Sequence, residues 1–426
     1  MTEEHVRGDD GSLPGPLVLV VGPGDRFLSG VSYYTALLSA ALVERGPVAM
    51  LLLRRLCPRV FYPGRSRVGA TDGVLFLPRV PVFNGLDWFW GRSAWDALQF
   101  WRRTRPSVVV LQWWTGTVLH SYLALAWLAR RSGARLVVEF HELQDVGEAG
   151  LPLVSRYTRA AMRVLLSRAD AAVVHSEFDK REFQNTYPQL RNLPIAVIPH
   201  GPYAHHARLG EPILANLEVQ GRRHCPPGSV EPIRVLIFGV VRPYKGHAEL
   251  AAAVRLLQTA GIDLHVSVVG EVWQGYREPL DELTRILPAD RLTIVDRYVS
   301  DDEVSAHFAA ADLVVLPYRR SSASGPLHIA MSRGLPVVTT AVGGLVEAAA
   351  DYTGAVLVPP SDPVALAEGI KTAIPLIGIA HLDPQSWRRS AARYADLLGR
   401  INIEWGQEVA APHVHAERPS FPLEVV

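Results

Sequence analysis

The feature that most constrains this chain is an alternation that runs through it twice: short runs of β-branched and aliphatic residues are separated by longer segments of helical period. Leu17 to Val21 reads as a strand, Val31 to Arg45 as a helix stopped at Gly46, and Val48 to Leu53 as the next strand. Ser107 to Leu111 is a strand, Trp113 to Arg131 turns helical, and Leu136 to Glu139, Ala171 to Val174 and Ile195 to Ile198 follow as strands. Parallel strands need a crossover, which a helix supplies, and strands buried on both faces carry continuous apolar runs. The alternation therefore predicts a parallel sheet covered on both sides. The pattern restarts at Arg234 to Phe238 and returns at His265 to Val269, Leu292 to Val295, Leu313 to Leu316 and Pro336 to Thr340. The expected fold class is α/β, with two doubly wound domains facing across a cleft.

Between the two halves, Ala204 to Pro232 is rich in His, Gly, Pro and Arg and has no period. The expected organisation is a loose tail at 1–16, an N-terminal domain at 17–205, a linker at 206–231 and a C-terminal domain at 232–385. A terminal helix at 386–405, with Trp387, Ala391, Tyr394 and Leu398 on one face, should pack back across the domains, followed by a tail at 406–426. The first residues show no basic start followed by an apolar run, so no signal peptide is expected. Val108 to Ala129 approaches a membrane span in length but is broken by Gln112, Thr115, Gly116, Thr117, His120 and Ser121, which fits a strand, a loop and a helix better. With 43 Lys and Arg against 42 Asp and Glu, no global field would gather nucleic acid. Cys57 and Cys225 are the two cysteines, too few for a disulfide framework, which points to a reducing cytoplasm.

Ligands of open α/β sheets sit beyond the carboxyl ends of the strands, so chemistry is sought in the loops that follow them. The first such loop, Gly22 to Gly30, begins like a dinucleotide fingerprint but lacks the third glycine in place, and Arg54 and Arg55 stand where an acid should end the second strand. It reads mainly as a glycine turn that lets backbone approach a ligand or a neighbouring helix. In the second half, Gly239 to Gly246 brackets a tight loop in which Arg242 and Lys245 are placed to meet phosphate oxygens, which suggests a diphosphate. Farther on, Tyr318 to Gly325 leads to Pro326 at the start of a helix closed by Gly334. Unpaired N–H groups there, beside hydroxyls and Arg319 and Arg320, make an anion site, with a solvated basic turn as the plainer reading.

At these residues the chain resembles the family 4 glycosyltransferases of the GT-B fold, which have two Rossmann-like domains. The resemblance covers Leu17 to Ile401. It rests on the helix opening at Gly30-Val-Ser-Tyr-Tyr, on Val138-Glu-Phe-His141, Ala169 to Ser176, Ile198-Pro-His-Gly201 and Arg242-Pro-Tyr-Lys-Gly246, on Ala311 to Pro317 and Gly334-Leu-Pro-Val-Val, and on Gly343-Gly344 followed by Glu347. It implies a cytoplasmic enzyme that transfers a sugar from a nucleotide-diphosphate sugar with retention, in polysaccharide, glycolipid or other glycoconjugate assembly. Gly30, Gly239, Arg242, Lys245, Ser321, Ser324, Gly325 and Pro326 would bind the donor, with His141, Arg242 and Lys245 in the catalytic centre. His141 would lie near the donor sugar, or else pack as a hydrogen-bonded histidine in the cleft wall. No metal or other cofactor is expected, because cations and helix N–H groups stabilise the leaving diphosphate. The acceptor, whether saccharide, lipid-linked saccharide or small molecule, is not specified.

Two departures stand out. The usual E-x7-E donor motif falls on Ser321 and Ile329, so a Ser-Gly turn replaces both acids, and Val240 takes the place of the arginine after the first glycine of the phosphate loop. The missing acids motivate one alternative, a non-catalytic relative that binds nucleotide sugar or partners an active transferase. The N-terminal glycines leave a nicotinamide-dependent oxidoreductase as another. Ser300-Asp-Asp-Glu303 reads as a helix capping box. His200, His205, His206, His224 and Cys225 match no zinc spacing. Six of ten tryptophans lie between Trp88 and Trp114, mixed with Arg92, Arg102, Arg103 and Arg105. Such a mixture suits peripheral contact at the inner face of a membrane, while a core helix with Trp95, Leu98 and Trp101 on the sheet is the favoured reading.

Overall fold

The computed structural model describes residues 16–24, 30–56, 80–142, 152–203, 231–273 and 275–405. The expected tails (save Pro16) and linker (save Glu231) lie outside these residues, as do Asp25 to Ser29, both cysteines, His205, His206 and His224. The first half runs β1 (Val18–Pro23), α1 (Gly30–Val43), β2 (Val48–Arg55), β3 (Val82–Asp87), α2 (Gly91–Thr104), β4 (Val108–Trp113), α3 (Leu119–Ser132), β5 (Arg135–Phe140), α4 (Pro152–Leu166), β6 (Ala171–Val174), α5 (Glu177–Thr186) and β7 (Ile195–Val197). The second runs β8 (Ile233–Phe238), α6 (His247–Thr259), β9 (Leu264–Val269), α7 (Glu278–Ile286), β10 (Leu292–Val295), α8 (Asp301–Ala310), β11 (Leu313–Leu316), α9 (Gly325–Ser332), β12 (Val337–Thr340), α10 (Leu345–Ala349), β13 (Ala355–Val358) and α11 (Pro363–Ala373), and α12 (Trp387–Arg400) follows.

Among the described residues these strands form two parallel sheets, β3-β2-β1-β4-β5-β6-β7 and β10-β9-β8-β11-β12-β13. The two doubly wound domains are thus present. Strands β1 and β4 are buried along their whole length, which is why they read as uninterrupted apolar runs. In each sheet the strand order reverses next to the first strand of the domain, between β1 and β4 and between β8 and β11, and a crevice opens at those carboxyl ends.

Helix α2 corrects one expectation. Trp101 is buried at 4% exposure, but Trp95 is 59% exposed. Six residues along an α-helix separate the two by about 120° of rotation, so one face cannot hold both. The exposed indole lies instead under the Arg102 guanidinium, 5.7 Å from ring centroid to Cζ. Trp113 and Trp114 are buried, whereas Phe89 and Trp90 are exposed.

Helix α12 belongs in sequence to the second half and packs on the first, against α1. Trp387 is 2% exposed and donates its indole N–H to the Pro202 carbonyl at 2.8 Å. Ser390 Oγ donates to the Pro199 carbonyl at 3.0 Å, and Arg393 to that of Val197 at 3.1 Å. The Trp387 ring sits so close to Gly201 that a Cβ there would come within 2.4 Å of it. Among the described residues no helix is long and apolar enough to cross a membrane. Removing this anchor by Trp387→Ala should cost about 3 to 5 kcal/mol, the usual loss for a buried aromatic truncated in a core. Urea unfolding followed by far-UV circular dichroism should show a clearly lower midpoint; an unchanged midpoint would mean that α12 does not hold the halves together.

Candidate active site

The carboxyl ends of β8 and β9 meet the starts of α8, α9 and α1 around a cavity of about 230 Å³. The first domain contributes Gly30, Tyr33 and Tyr203, and the second contributes Gly239, Lys245, Glu271, Asp301, Gly325, Pro326 and Ile329 among others. Within the first domain Tyr203 Oη donates to the Gly30 carbonyl at 3.2 Å, and across the boundary the Tyr33 hydroxyl donates to the Asp301 carboxylate at the rim.

The loop after β8 is folded by steric necessity. Gly246 has φ of +73°, and a Cβ there would lie 1.8 Å from the Pro317 carbonyl oxygen, inside the carboxyl end of β11. This close approach turns Lys245 inward. Its Nζ donates to Tyr318 Oη at 2.8 Å and stands 4.2 Å from the centroid of that ring. Burial disfavours the ammonium charge, but Tyr318 and Tyr244 beside it outweigh that and hold its pKa above the ordinary lysine value. Among the described residues Lys245 has no carboxylate partner, so it is a half-buried cation turned toward a cavity.

Helix α9 starts beside it. Ser324 is the N-cap, accepting from the Leu327 N–H at 3.3 Å, and its Oγ lies 3.4 Å from Tyr318 Oη. Gly325 and Pro326, the first helical residues, line the cavity, with open space around the Gly325 Cα. The positive end of a helix thus shares the cavity with Lys245, an arrangement that suits an anion.

The structure brings Gly30, Gly239, Lys245, Gly325 and Pro326 to this cavity and leaves the other expected site residues outside its lining. Arg242 lies with its guanidinium over Trp273, 4.0 Å from the ring centroid. Arg319 is paired with Glu249 at 2.6 Å, and Arg320 lies over the Tyr244 ring. The two arginines expected beside the α9 anion site are therefore committed elsewhere. Ser321 Oγ donates to the Ala323 carbonyl at 2.8 Å and serves the turn itself. Ser300 and Glu303 form the expected capping box. Sequence reasoning passed over Tyr318, whose position directly after the β11 strand-end proline was the available signal.

His141 is buried after β5, its Nε2 2.5 Å from Gln112 Oε1 and its Nδ1 3.3 Å from His175 Nε2. Burial first, and His175 second, hold its pKa well below the ordinary histidine value. It faces a cluster with Tyr34, His175 and His200, beside a second cavity of about 630 Å³ lined by His175, His200, His328, Ser322 and Glu347 among others. Glu347 spans the domains there. Its carboxylate accepts from the backbone N–H groups of Glu177 and Phe178 at 2.6 and 2.8 Å, the first turn of α5.

Residues 29–201 match the family described as Glycosyl transferase 4-like domain, and residues 232–374 match that described as Glycosyl transferases group 1. The D-inositol 3-phosphate glycosyltransferase of Salinispora arenicola is 34% identical over 314 residues, 69% of this chain and 69% of that protein. The GDP-mannose-dependent alpha-(1-6)-phosphatidylinositol monomannoside mannosyltransferase of Mycolicibacterium smegmatis is 27% identical over 288 residues, 64% of this chain and 72% of that protein. In fold the chain is similar to the catalytic domain of starch synthase IV from Arabidopsis thaliana bound to ADP and acarbose, with a TM-score of 0.63 at 16% identity over 91% of this chain and 99% of that one. It is also similar to HepE of Anabaena in complex with UDP, at a TM-score of 0.55 and 16% identity over 90% and 97% of the two chains.

The geometry separates the two loop cations. Lys245→Ala removes a charge-assisted contact worth about 1.5 to 3 kcal/mol, so affinity for inorganic pyrophosphate should fall at least about tenfold by calorimetry. Arg242→Ala, which strips a residue stacked on Trp273, should change that affinity by less than about threefold. Equal losses in both variants would put Arg242 on the anion as well.

Proposed function

The chain belongs to the family 4 glycosyltransferases of the GT-B fold, enzymes that use a nucleotide sugar, and we propose that it transfers the sugar of a nucleotide diphosphate with retention of anomeric configuration to a glycoconjugate precursor. The observation that carries this reading is the half-buried Lys245, without a carboxylate partner among the described residues, beside the start of α9, in a cavity walled by Gly239, Gly325 and Pro326 and closed from the other domain by Gly30. In the reaction the bond between the anomeric carbon and the diphosphate oxygen breaks, and the diphosphate leaves with the electron pair. Lys245 and the α9 terminus stabilise the charge that develops there. The acceptor hydroxyl oxygen bonds to the anomeric carbon on the face the diphosphate has just left and gives its proton to a diphosphate oxygen, so no side-chain base is required for retention. This chain's own cationic groups serve the diphosphate, and no metal is assigned to it.

The test is a thermal-shift screen across UDP, GDP, ADP and dTDP sugars, since a ligand of the folded state raises its melting temperature. The stabilising donor is then incubated with acceptor and the product's anomeric configuration read by NMR. Retention is expected. An inverted product would refute the stereochemical part, and stabilisation without any transfer or slow donor hydrolysis would favour a non-catalytic binder.

The acceptor side falls to the first domain. The segment Trp88 to Trp90 follows the carboxyl end of β3 and is tied to the start of α3 through His120 and Ser121, so it lies on the strand-end rim. Exposed Phe89, Trp90 and Arg92 stand there, and exposed Trp95, Arg102, Arg103 and Arg105 follow along α2, which runs from that rim toward the start of β4. The named substrates of two relatives, a phosphatidylinositol mannoside and an inositol phosphate, support an anionic and in one case lipid acceptor. Contact with an anionic membrane would be peripheral, each arginine adding about 1 kcal/mol and weakening with salt. Co-sedimentation with anionic vesicles at low salt should be lost at high salt and in the Arg102, Arg103, Arg105 triple Arg→Gln variant. Wild type remaining in the supernatant, or pelleting equally with neutral vesicles, would assign these residues to a soluble acceptor.

A further inference from the structure

Three successive strands of the first sheet each lead into a histidine. His141 follows β5, His175 follows β6 and His200 follows β7. Their imidazoles are buried at 8%, 7% and 6% exposure, and one nitrogen from each lies within 4.8 Å of the others.

The partners of these rings fix their protons. Gln112 gives its amide N–H to the Glu139 carboxylate, which can only accept, so the Gln112 atom facing His141 Nε2 is the carbonyl oxygen and His141 Nε2 must carry the hydrogen. His175 Nδ1 lies 2.9 Å from the Ile198 carbonyl and must carry its hydrogen there. The remaining nitrogens, His141 Nδ1 and His175 Nε2, then point lone pairs at each other across 3.3 Å. Two lone pairs at that distance repel unless a cation lies between them. The separation is also the ligand-to-ligand edge of a tetrahedral site with zinc–nitrogen bonds of about 2.0 to 2.1 Å.

Two further observations point the same way. Among the described residues both nitrogens of His200 are buried without a hydrogen-bond partner, and the ring is held against Tyr34 and His175. Glu139 is fully buried, accepts from Tyr34 Oη at 2.6 Å and from Gln112, and has no cationic side chain paired with it among the described residues. Through Gln112 this buried acceptor fixes how His141 is oriented toward the other two rings.

We propose that His141, His175 and His200 form a binding site for a divalent transition-metal ion, with zinc the best fit, at the base of the interdomain cleft. Gln112 and Glu139 are its outer partners, fixing the tautomer and orientation of His141 as carboxylates and amides do around zinc histidines. The fourth position opens toward His328 of α9, whose ring stacks on His200 at 5.0 Å between centroids and whose Nδ1 is buried without a partner. The ion would therefore be held by the first domain, next to His328 of the second, and outside the cavity that Lys245 lines. This site departs from the expectation that the chain holds no metal. Of the histidines near the linker considered from sequence, it uses His200 alone.

The test uses the full chain without a histidine tag, stripped with chelator and titrated with Co²⁺ and then Zn²⁺. One equivalent of cobalt should produce the intense visible band of a four-coordinate site, and zinc should displace it and raise the melting temperature. In His200→Phe the ring packing is kept and two unpartnered nitrogens are removed, so without metal the variant should melt no lower than wild type. It should lose the cobalt band and the stabilisation by zinc. Gln112→Leu should weaken cobalt binding about 10- to 100-fold, the usual effect of removing an outer partner. Stripped wild type that takes up no stoichiometric cobalt would overturn the proposal whatever the variants do, as would a band that survives in His200→Phe.

Discussion

Both domains depend on one constraint: a parallel strand must be followed by a crossover, so all strands of a sheet end on the same edge. Every loop that follows a strand in this chain is thereby delivered to one of two rims. The chain turns those rims toward each other, so residues far apart in sequence meet without any local signal. Lys245 after β8, Gly325 after β11 and Gly30 at the start of α1 reach one cavity in this way. His141, His175 and His200 reach one point behind it by the same rule.

The halves are held in register by contacts of unequal worth. Glu347 places a carboxylate on the first turn of α5, a helix-terminus interaction of about 0.3 to 1 kcal/mol at a partly exposed site. The Tyr33 to Asp301 bond adds a contribution of similar order. The buried Trp387 of α12 outweighs both, because a large aromatic in a closed core is worth several times a surface hydrogen bond. The polar contacts at the cleft rim are therefore the weaker links between the halves, and the packing of α12 is the stronger one.

What was legible in the sequence follows burial. Central strands such as β4, enclosed on both faces, are written as unbroken apolar runs. The edge strand β3 is half-covered and carries Asn84 and Gly85 and a shifted register, so it does not stand out as a run, whereas β13, an apolar run of only four residues, was passed over for its shortness. Lys245 was legible because the glycines that force its loop are its neighbours in sequence. Arg242 and Arg319 were not, since their partners, Trp273 and Glu249, come from other elements. The histidine trio escaped for the same reason, each member following a different strand and none sharing a ligand spacing with another.

The loss of the two acids of the donor motif acquires a physical meaning in this setting. Ser321 donates its hydroxyl to the Ala323 carbonyl within the turn that presents Ser324 as the cap of α9. A carboxylate at Ser321 could accept but not donate, and that bond of the turn would go. Ile329 is 4% exposed and forms an apolar wall of the donor cavity one turn into the same helix. An acid there would be desolvated near the one region that must gather negative charge. Lys245 and the α9 terminus would then spend part of their field on a fixed carboxylate rather than on a bound diphosphate. The turn and the helix have thus given up two acceptors for hydroxyl groups in exchange for a positive, partly apolar pocket. On the proposed reading, the carboxylates left at the cavity wall for a nucleotide's hydroxyls are Glu271 and Asp301, of which Asp301 is already shared with Tyr33 across the domain boundary.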